Sequence, residues 1–304
     1  MILIKNAIIS PESQETRDIL IRGGKIERIK KNIDDPGAEV IDAKRRLVTH
    51  GLVGYFFTCH GESNRVVTPN IRAIEEVDIL GKGYEKYLRR GITTVVSPPK
   101  NNNLIGGSMC VVKTRGVMLD RSVIKEDAAL KVSLGGDSGL GERMASIREF
   151  IGILGNYRRG ELVTEDIRIK LMEKFLKRKL PIIFQAESSL AVLNALRLIK
   201  KYNLVGAIET PVDTREVVKA ARDQDVYLIR GMEAPEKESH RYIDVIERLK
   251  GENKEIARFL NIDHRIGSLK EGTDADIVVW ERDEDEIYVK TAMVDGNIIN
   301  FIHE

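Results

Sequence analysis

The chain has 304 residues, 49 Lys+Arg against 47 Asp+Glu and 42% hydrophobic residues. That length buries a sizeable core and suits one large domain or a barrel with a satellite. A net charge of +2 among 32% charged residues is balanced, so nothing global points to nucleic acid or a membrane surface. No apolar run nears the roughly 20 residues of a membrane-spanning helix. The opening residues lack the charged, apolar and small-residue order of a signal peptide. Cys59 and Cys110 are too few for a disulfide framework. The expectation is a soluble, cytoplasmic protein with no nucleic-acid or membrane partner.

Short β structure comes first. Ile2-Leu3-Ile4 and Ala7-Ile8-Ile9 precede a polar turn. Residues 18–22 and 25–29 predict a hairpin, with Gly23-Gly24 as its turn and Ile19, Ile21, Ile26 and Ile29 as its buried face. Residues 39–42 add another short strand.

The middle of the chain alternates apolar runs with helical periodicity, the pattern of βα units around a parallel sheet. Strands are predicted at 52–58, 92–97, 110–113, 130–134, 182–185, 207–210 and 226–230. Several are apolar throughout, as strands covered on both faces are. Helices are predicted at 71–89, 147–157, 165–179, 190–202 and 214–223, Thr214 reading as a helix start. Seven strands fall one short of a closed (β/α)8 barrel. After Arg230 only helical pattern follows, to about Leu260.

The last 40 or so residues return to β, with a strand at 275–280 and a hairpin of 287–294 and 297–299 around Asp295-Gly296. Two domains are therefore expected. Residues 1–50 and 265–304 form a composite β-sandwich. Residues 51–264 form a truncated TIM-like (β/α) barrel whose eighth strand is missing. An open barrel edge needs cover, so a homo-oligomer is also expected.

Three segments carry a resemblance. They are Leu3-Ile4-Lys5-Asn6-Ala7 with Asp18-Ile19-Leu20-Ile21 and Gly24-Lys25-Ile26, then 266–279 with its Gly272-Thr273-Asp274-Ala275-Asp276 stretch, then Val294-Asp295-Gly296. Together they resemble the amidohydrolase superfamily, closest to its imidazolonepropionase-like and other cytosolic C–N hydrolase members. Gly51-Leu52-Val53, Gly91-Ile92-Thr93-Thr94-Val95, and Asn103 to Gly107 followed by Val111-Val112-Lys113 resemble the family's first three barrel strands.

The resemblance implies one or two divalent metals, held by His-x-His on strand 1, His on strands 5 and 6, and Asp on strand 8. Such ligands polarise the substrate and lower the pKa of a bound water. Here the His-x-His places fall on Phe56 and Thr58. With two residues inserted they fall on Thr58 and His60. Gln185 stands at the strand-5 place, Thr210 at the strand-6 place, and no segment supplies strand 8. The first expectation is therefore a non-catalytic binding or assembly protein, with no cofactor and a small-molecule ligand in the barrel mouth. Candidate pocket residues are His60, Lys113, Asp137, Glu187 and Glu209, and His60 is the best metal ligand if there is one. The alternative is a divergent hydrolase of cyclic amides or amidines using Zn, Fe or Mn around His60, Gln185, Glu187 and Glu209. Each residue also has a plain structural reading. Lys113 and Lys131 can pair inside the barrel, the acidic residues can cap helices, and Asn101-Asn102-Asn103 with Gly106-Gly107 can form a tight turn as well as an anion cradle. His240, His264 and His303 are expected at the surface.

Overall fold

A computed structural model describes residues 1–10, 12–13, 15–55, 64–78, 84–115, 119–230 and 240–301. Five strands lead: β1 (Ile2–Ile8), β2 (Thr16–Arg22), β3 (Lys25–Lys30), β4 (Glu39–Asp42) and β5 (Leu47–His50). The middle holds β6 (Leu52–Tyr55), α1 (Glu85–Leu88), β7 (Ile92–Ser97), β8 (Ile105–Lys113), α2 (Leu119–Ser122), β9 (Val123–Gly135), α3 (Leu140–Arg158), α4 (Ile167–Leu176), β10 (Ile182–Ala186), α5 (Ser189–Tyr202), β11 (Gly206–Glu209), α6 (Arg215–Arg222) and β12 (Tyr227–Ile229). The chain ends with β13 (His240–Arg241), α7 (Tyr242–Lys250), α8 (Glu252–Phe259), β14 (Ile277–Asp283), β15 (Glu286–Val294) and β16 (Asn297–Asn300). Among the described residues no helix is long and apolar enough to cross a membrane.

Two sheets organise these elements. The first has nine strands, running β13-β15-β14-β5-β1-β2-β3, with β16 on β15 and β4 on β1. Both predicted hairpin turns sit where left-handed backbone is needed, with φ of 59° and 79° at Gly23 and Gly24 and 52° and 76° at Asp295 and Gly296. The second sheet runs β12-β11-β10-β9-β8-β7-β6. One apolar cluster holds Val53, Val96, Met109, Ala129, Ile183, Ala207 and Ile229, so every strand of this sheet contributes to it. Residues from the two edge strands share a cluster only if the sheet curls, which makes this a nearly closed seven-stranded barrel sheet. The outward residues Leu130, Val132, Ile182, Phe184 and Ile208 pack with α3, α4, α5 and α6. Asp166, Ser188 and Thr214 cap the last three of those helices, each side chain accepting from a backbone N–H of the first turn.

The sheet is not parallel throughout. β8 runs antiparallel to both β7 and β9. The linkers 98–104 and 114–122 are shorter than the dozen or so residues that a parallel crossover needs. The helix predicted at 71–89 is represented, among its described residues, by a 3-10 turn at Ala73–Glu75 and the short α1. Its first residues serve β8 instead, for Ser108 N–H donates to the Ile71 carbonyl at 2.8 Å and Thr68 N–H to that of Ile105 at 2.8 Å. Gly107, at φ 112°, permits this approach, since a Cβ there would lie 2.2 Å from the Ile71 oxygen.

Helix α8 packs against both β6 and β12. Its Ile256 and Ala257, with Leu260 just beyond, join the inner cluster. Buried Asn253 accepts from the Val53 N–H at 3.1 Å, satisfying a backbone group of edge strand β6.

The two sheets share a core. Trp280 is 1% exposed, packs with Leu52, Ile92, Val95 and Val112, and donates from Nε1 to Thr49 Oγ1 at 2.8 Å. His240, expected at the surface, is half-buried beside Trp280, its Nε2 against the Arg90 carbonyl at 3.0 Å.

Below this core lies a buried ion cluster. Lys113, 0% exposed, donates to Asp274 at 2.9 Å, to Asp276 at 3.1 Å and to Asp295. Arg265 and Lys25 also hold Asp274, at 2.8 and 2.9 Å. Burial opposes the charge on Lys113, but the carboxylates of Asp276, Asp274 and Asp295 outweigh it and raise its pKa. Burial likewise works against the Asp274 carboxylate, yet Lys113 and the other donors bring it from 3.8 down to about 2. That stabilisation is present above pH 3.8 and is lost as pH falls towards about 2.

Lys113→Met should lower stability at neutral pH by about 3–5 kcal/mol, because it strands buried carboxylates. It should also flatten the acid limb set by Asp274, both read from urea midpoints across pH. Asn253→Ala should cost about 1–3 kcal/mol by leaving the Val53 N–H unpaired, measured the same way.

Candidate functional site

Strand alternation decides which polar residues face the barrel interior. On β10, Ile182 and Phe184 point outward, so Ile183 and Gln185 point inward. On β11, Ile208 points outward, and Ala207 and Glu209 point inward. The parallel register sets Gln185 opposite Glu209. Gln185 Nε2 donates to Glu209 Oε2 at 2.7 Å.

Glu209 is fully buried. Burial pushes its pKa up to about 8, against the lowering effects of Gln185, Tyr55 and Lys131. At neutral pH it therefore carries its proton. Tyr55 is buried beside it, its hydroxyl donating to Met109 Sδ at 3.5 Å. Burial, with Glu209 next, raises the Tyr55 phenol well above its ordinary range. Two oxygens of this group, Gln185 Oε1 and Glu209 Oε1, are buried without a hydrogen-bond partner among the described residues.

The other residues singled out from sequence are spread around this pair. Glu187 is half-buried, its backbone N–H donating to the Gly135 carbonyl at 3.0 Å, and its charge adds to the upward shift of Glu209. Asp137 is exposed and accepts from the hydroxyl of Ser188, the cap of α5. Thr210 is buried, and its Oγ1 accepts from Val212 N–H at 3.1 Å in a turn. The inward residue of that strand is thus Glu209, one position earlier. Lys113 is not at the mouth, because antiparallel β8 carries it to the opposite end and into the ion cluster. Phe56, Thr58, Cys59 and His60 lie outside the described residues, as does His303.

Lys131 faces inward on β9 and donates to the carbonyls of Pro99, at 3.0 Å, and Asn101. Asn101 donates to the Gly106 carbonyl at 3.0 Å, and Asn103 donates to Thr68 Oγ1 at 2.8 Å. The Asn run is a turn tied by its own side chains. Tyr55 was not singled out from the sequence, where it reads as one more apolar strand residue. Its place two residues after inward Val53 was the available signal.

A groove of about 920 Å³ runs outside β12, between α6 and α8. Thr210, Tyr227, Arg222, Glu255 and Arg258 line it, with an Asp213–Arg230 ion pair of 2.8 Å.

A sequence profile described as Amidohydrolase family matches residues 215–299. A dihydroorotase of Caldanaerobacter subterraneus subsp. tengcongensis is 32% identical over 126 residues, 41% of this chain and 27% of that protein. A dihydroorotase of Aquifex aeolicus is 30% identical over 113 residues, 36% of this chain and 24% of that protein. The matched stretch thus spans only about a quarter of either relative's length. Among solved structures, an amidohydrolase from Thermotoga maritima superposes with a TM-score of 0.80 at 21% identity, covering 98% of this chain and 99% of the other. An adenine deaminase superposes with a TM-score of 0.55 at 12% identity, covering 99% of both chains. The profile match is confined to the last third of the chain, and along nearly all of its length the chain shares the fold of a solved amidohydrolase.

Proposed function

We propose that this chain is a non-hydrolytic amidohydrolase-fold protein that binds a small polar ligand at the C-terminal ends of its barrel strands. The observation that carries the reading is the Gln185–Glu209 pair. Divalent metals of this superfamily need neutral imidazole or ionised carboxylate donors converging on one point. At these two inward positions the chain sets an amide, whose N–H₂ is spent on Glu209, and a carboxyl held neutral by burial. That donor set does not suit a divalent cation. It does suit a neutral ligand with a hydrogen-bond donor beside an acceptor, since Gln185 Oε1 can accept and the protonated Glu209 can donate.

A second reading has its own support. The relatives matched at 30–32% identity are named dihydroorotases, which favours hydrolysis of a cyclic amide with Zn, Fe or Mn held near His60. Metal analysis of the full chain, with a turnover assay on dihydroorotate and hydantoin, separates the two. We expect substoichiometric metal after incubation with Zn, Mn or Fe, and no turnover above background. Stoichiometric metal and turnover that are both lost in His60→Ala would overturn the binding-protein reading.

The protonated state of Glu209 has a separate consequence. Its folded pKa of about 8 lies above its unfolded value of 4.5. It therefore contributes stability fully below pH 4.5, which is lost as pH rises towards 8. Wild-type urea midpoints should fall across that window, and Glu209→Gln, which mimics the protonated carboxyl, should remove most of the fall, worth about a few kcal/mol.

A further inference from the structure

At the other end of the barrel sheet lies a smaller cavity, of about 360 Å³, where β5, α8 and the loop before β14 meet. Its lining includes His50, Ser268, Lys254, Lys270 and Glu12. Close packing builds it. Gly267, at φ 87°, lets the loop lie directly on α8, since a Cβ there would sit 2.8 Å from that of Ala257 and 3.0 Å from the Asn253 carbonyl. The approach brings Ser268 and Lys270 beside Lys254.

Several polar groups here have work still undone. Ser268 is 9% exposed, and its Oγ is buried with no hydrogen-bond partner among the described residues. A buried hydroxyl without a partner is costly and marks a place where a ligand or water belongs. Lys254 and Lys270 are exposed at the rim, and no ion pair ties down either ammonium among the described residues. His50 is 8% exposed and its Nδ1 lies 2.9 Å from the Gly51 carbonyl. A carbonyl only accepts, so Nδ1 carries the ring proton. Burial first, then the charge of Lys254, lowers the His50 pKa to about 4, against the Gly51 hydrogen bond. The ring is therefore neutral, and Nε2 offers a lone pair.

The cavity thus combines two cations, a hydroxyl donor and a neutral ring acceptor, with Glu12 as the acidic residue at its rim. A carboxylate or a sulfate dianion can only accept hydrogen bonds. A phosphate near neutral pH is both an anion and partly protonated, with a second pKa of about 6. It can accept from Lys254, Lys270 and Ser268 while its P–OH donates to His50 Nε2. From this geometry we infer that the cavity is a binding site for the phosphate group of a small phosphate monoester. The space exceeds what the phosphate fills and leaves room for a short organic part. The inference does not depend on the reading of the strand ends.

The test is titration of the full chain at constant ionic strength with inorganic phosphate, methyl phosphate and sulfate. Calorimetry gives the affinity and histidine ring NMR signals report the site, with the His50 signal assigned by its loss in His50→Gln. Saturable binding of both phosphates that moves the His50 signal is expected, with sulfate weaker. Lys254→Met and Ser268→Ala should each weaken binding about tenfold, the loss of one charge-assisted or buried hydrogen bond. Lys201→Met, far away on α5, should change nothing. Absence of saturable phosphate binding up to about 10 mM, affinity unchanged in both cavity variants, or sulfate binding as tightly as phosphate would each overturn the inference. Lys254 is exposed and Ser268→Ala removes a single atom, so both variants are expected to fold.

Discussion

A buried sheet cannot leave its edge groups bare inside a protein, and that constraint organises this molecule. The barrel sheet curls until β6 and β12 come near each other, and α8 lies against both. Asn253 takes a backbone N–H of β6, and Ile256, Ala257 and Leu260 complete the interior cluster. One helix therefore does three jobs. It covers an edge, fills the core and presents Lys254, Glu255 and Arg258 to the cavities on either side. The groove outside β12 and the pocket beneath α8 both follow from where this helix must sit.

The two ends of the barrel sheet are built on opposite electrostatic principles. At the lower end, Lys113 gathers Asp274, Asp276 and Asp295, and charges are buried because they are paired. Asp276 shows the limit of that arrangement. It is buried, its Oδ2 has no hydrogen-bond partner among the described residues, and burial raises its pKa to about 6 despite Lys113. At the upper end, among the described residues, no cation hydrogen-bonds to Glu209, so burial outweighs its partners and the carboxyl keeps its proton. The same physics, desolvation set against a partner, gives a rigid joint at one end and a neutral polar pair at the other.

The shared fold sets where a ligand site is expected, at the C-terminal ends of the strands, but not what happens there. Chemistry at such a site depends on which side chains point inward and in what protonation state. Here those are Tyr55, Gln185, Glu209 and Lys131, and Lys131 is occupied with the carbonyls of the loop after β7. A metal-dependent hydrolase and a binding protein can share every strand of this sheet and differ only in those groups.

Strand positions in the barrel sheet were legible from the sequence because apolar runs are local: β7 matches its prediction end for end, and the other six overlap theirs. Both glycine-containing hairpin turns were legible too, since left-handed backbone favours particular residues. The helical periodicity at 71–89 is real, but the backbone at its start, Ile71 and Arg72, pairs with Ser108 of β8, a partner far off in sequence. The direction of β8 depended on linker lengths, and with it the position of Lys113. Asp274 and Asp276 stand two residues apart in the sequence, a spacing that puts both on one side of an extended chain. It did not show that a lysine 161 residues earlier would lie between them. Local patterning alone determined the elements, the turns and the inward or outward alternation, because these depend on neighbours along the chain. Only the tertiary structure decided which buried charges found partners, because desolvation and pairing depend on neighbours in space.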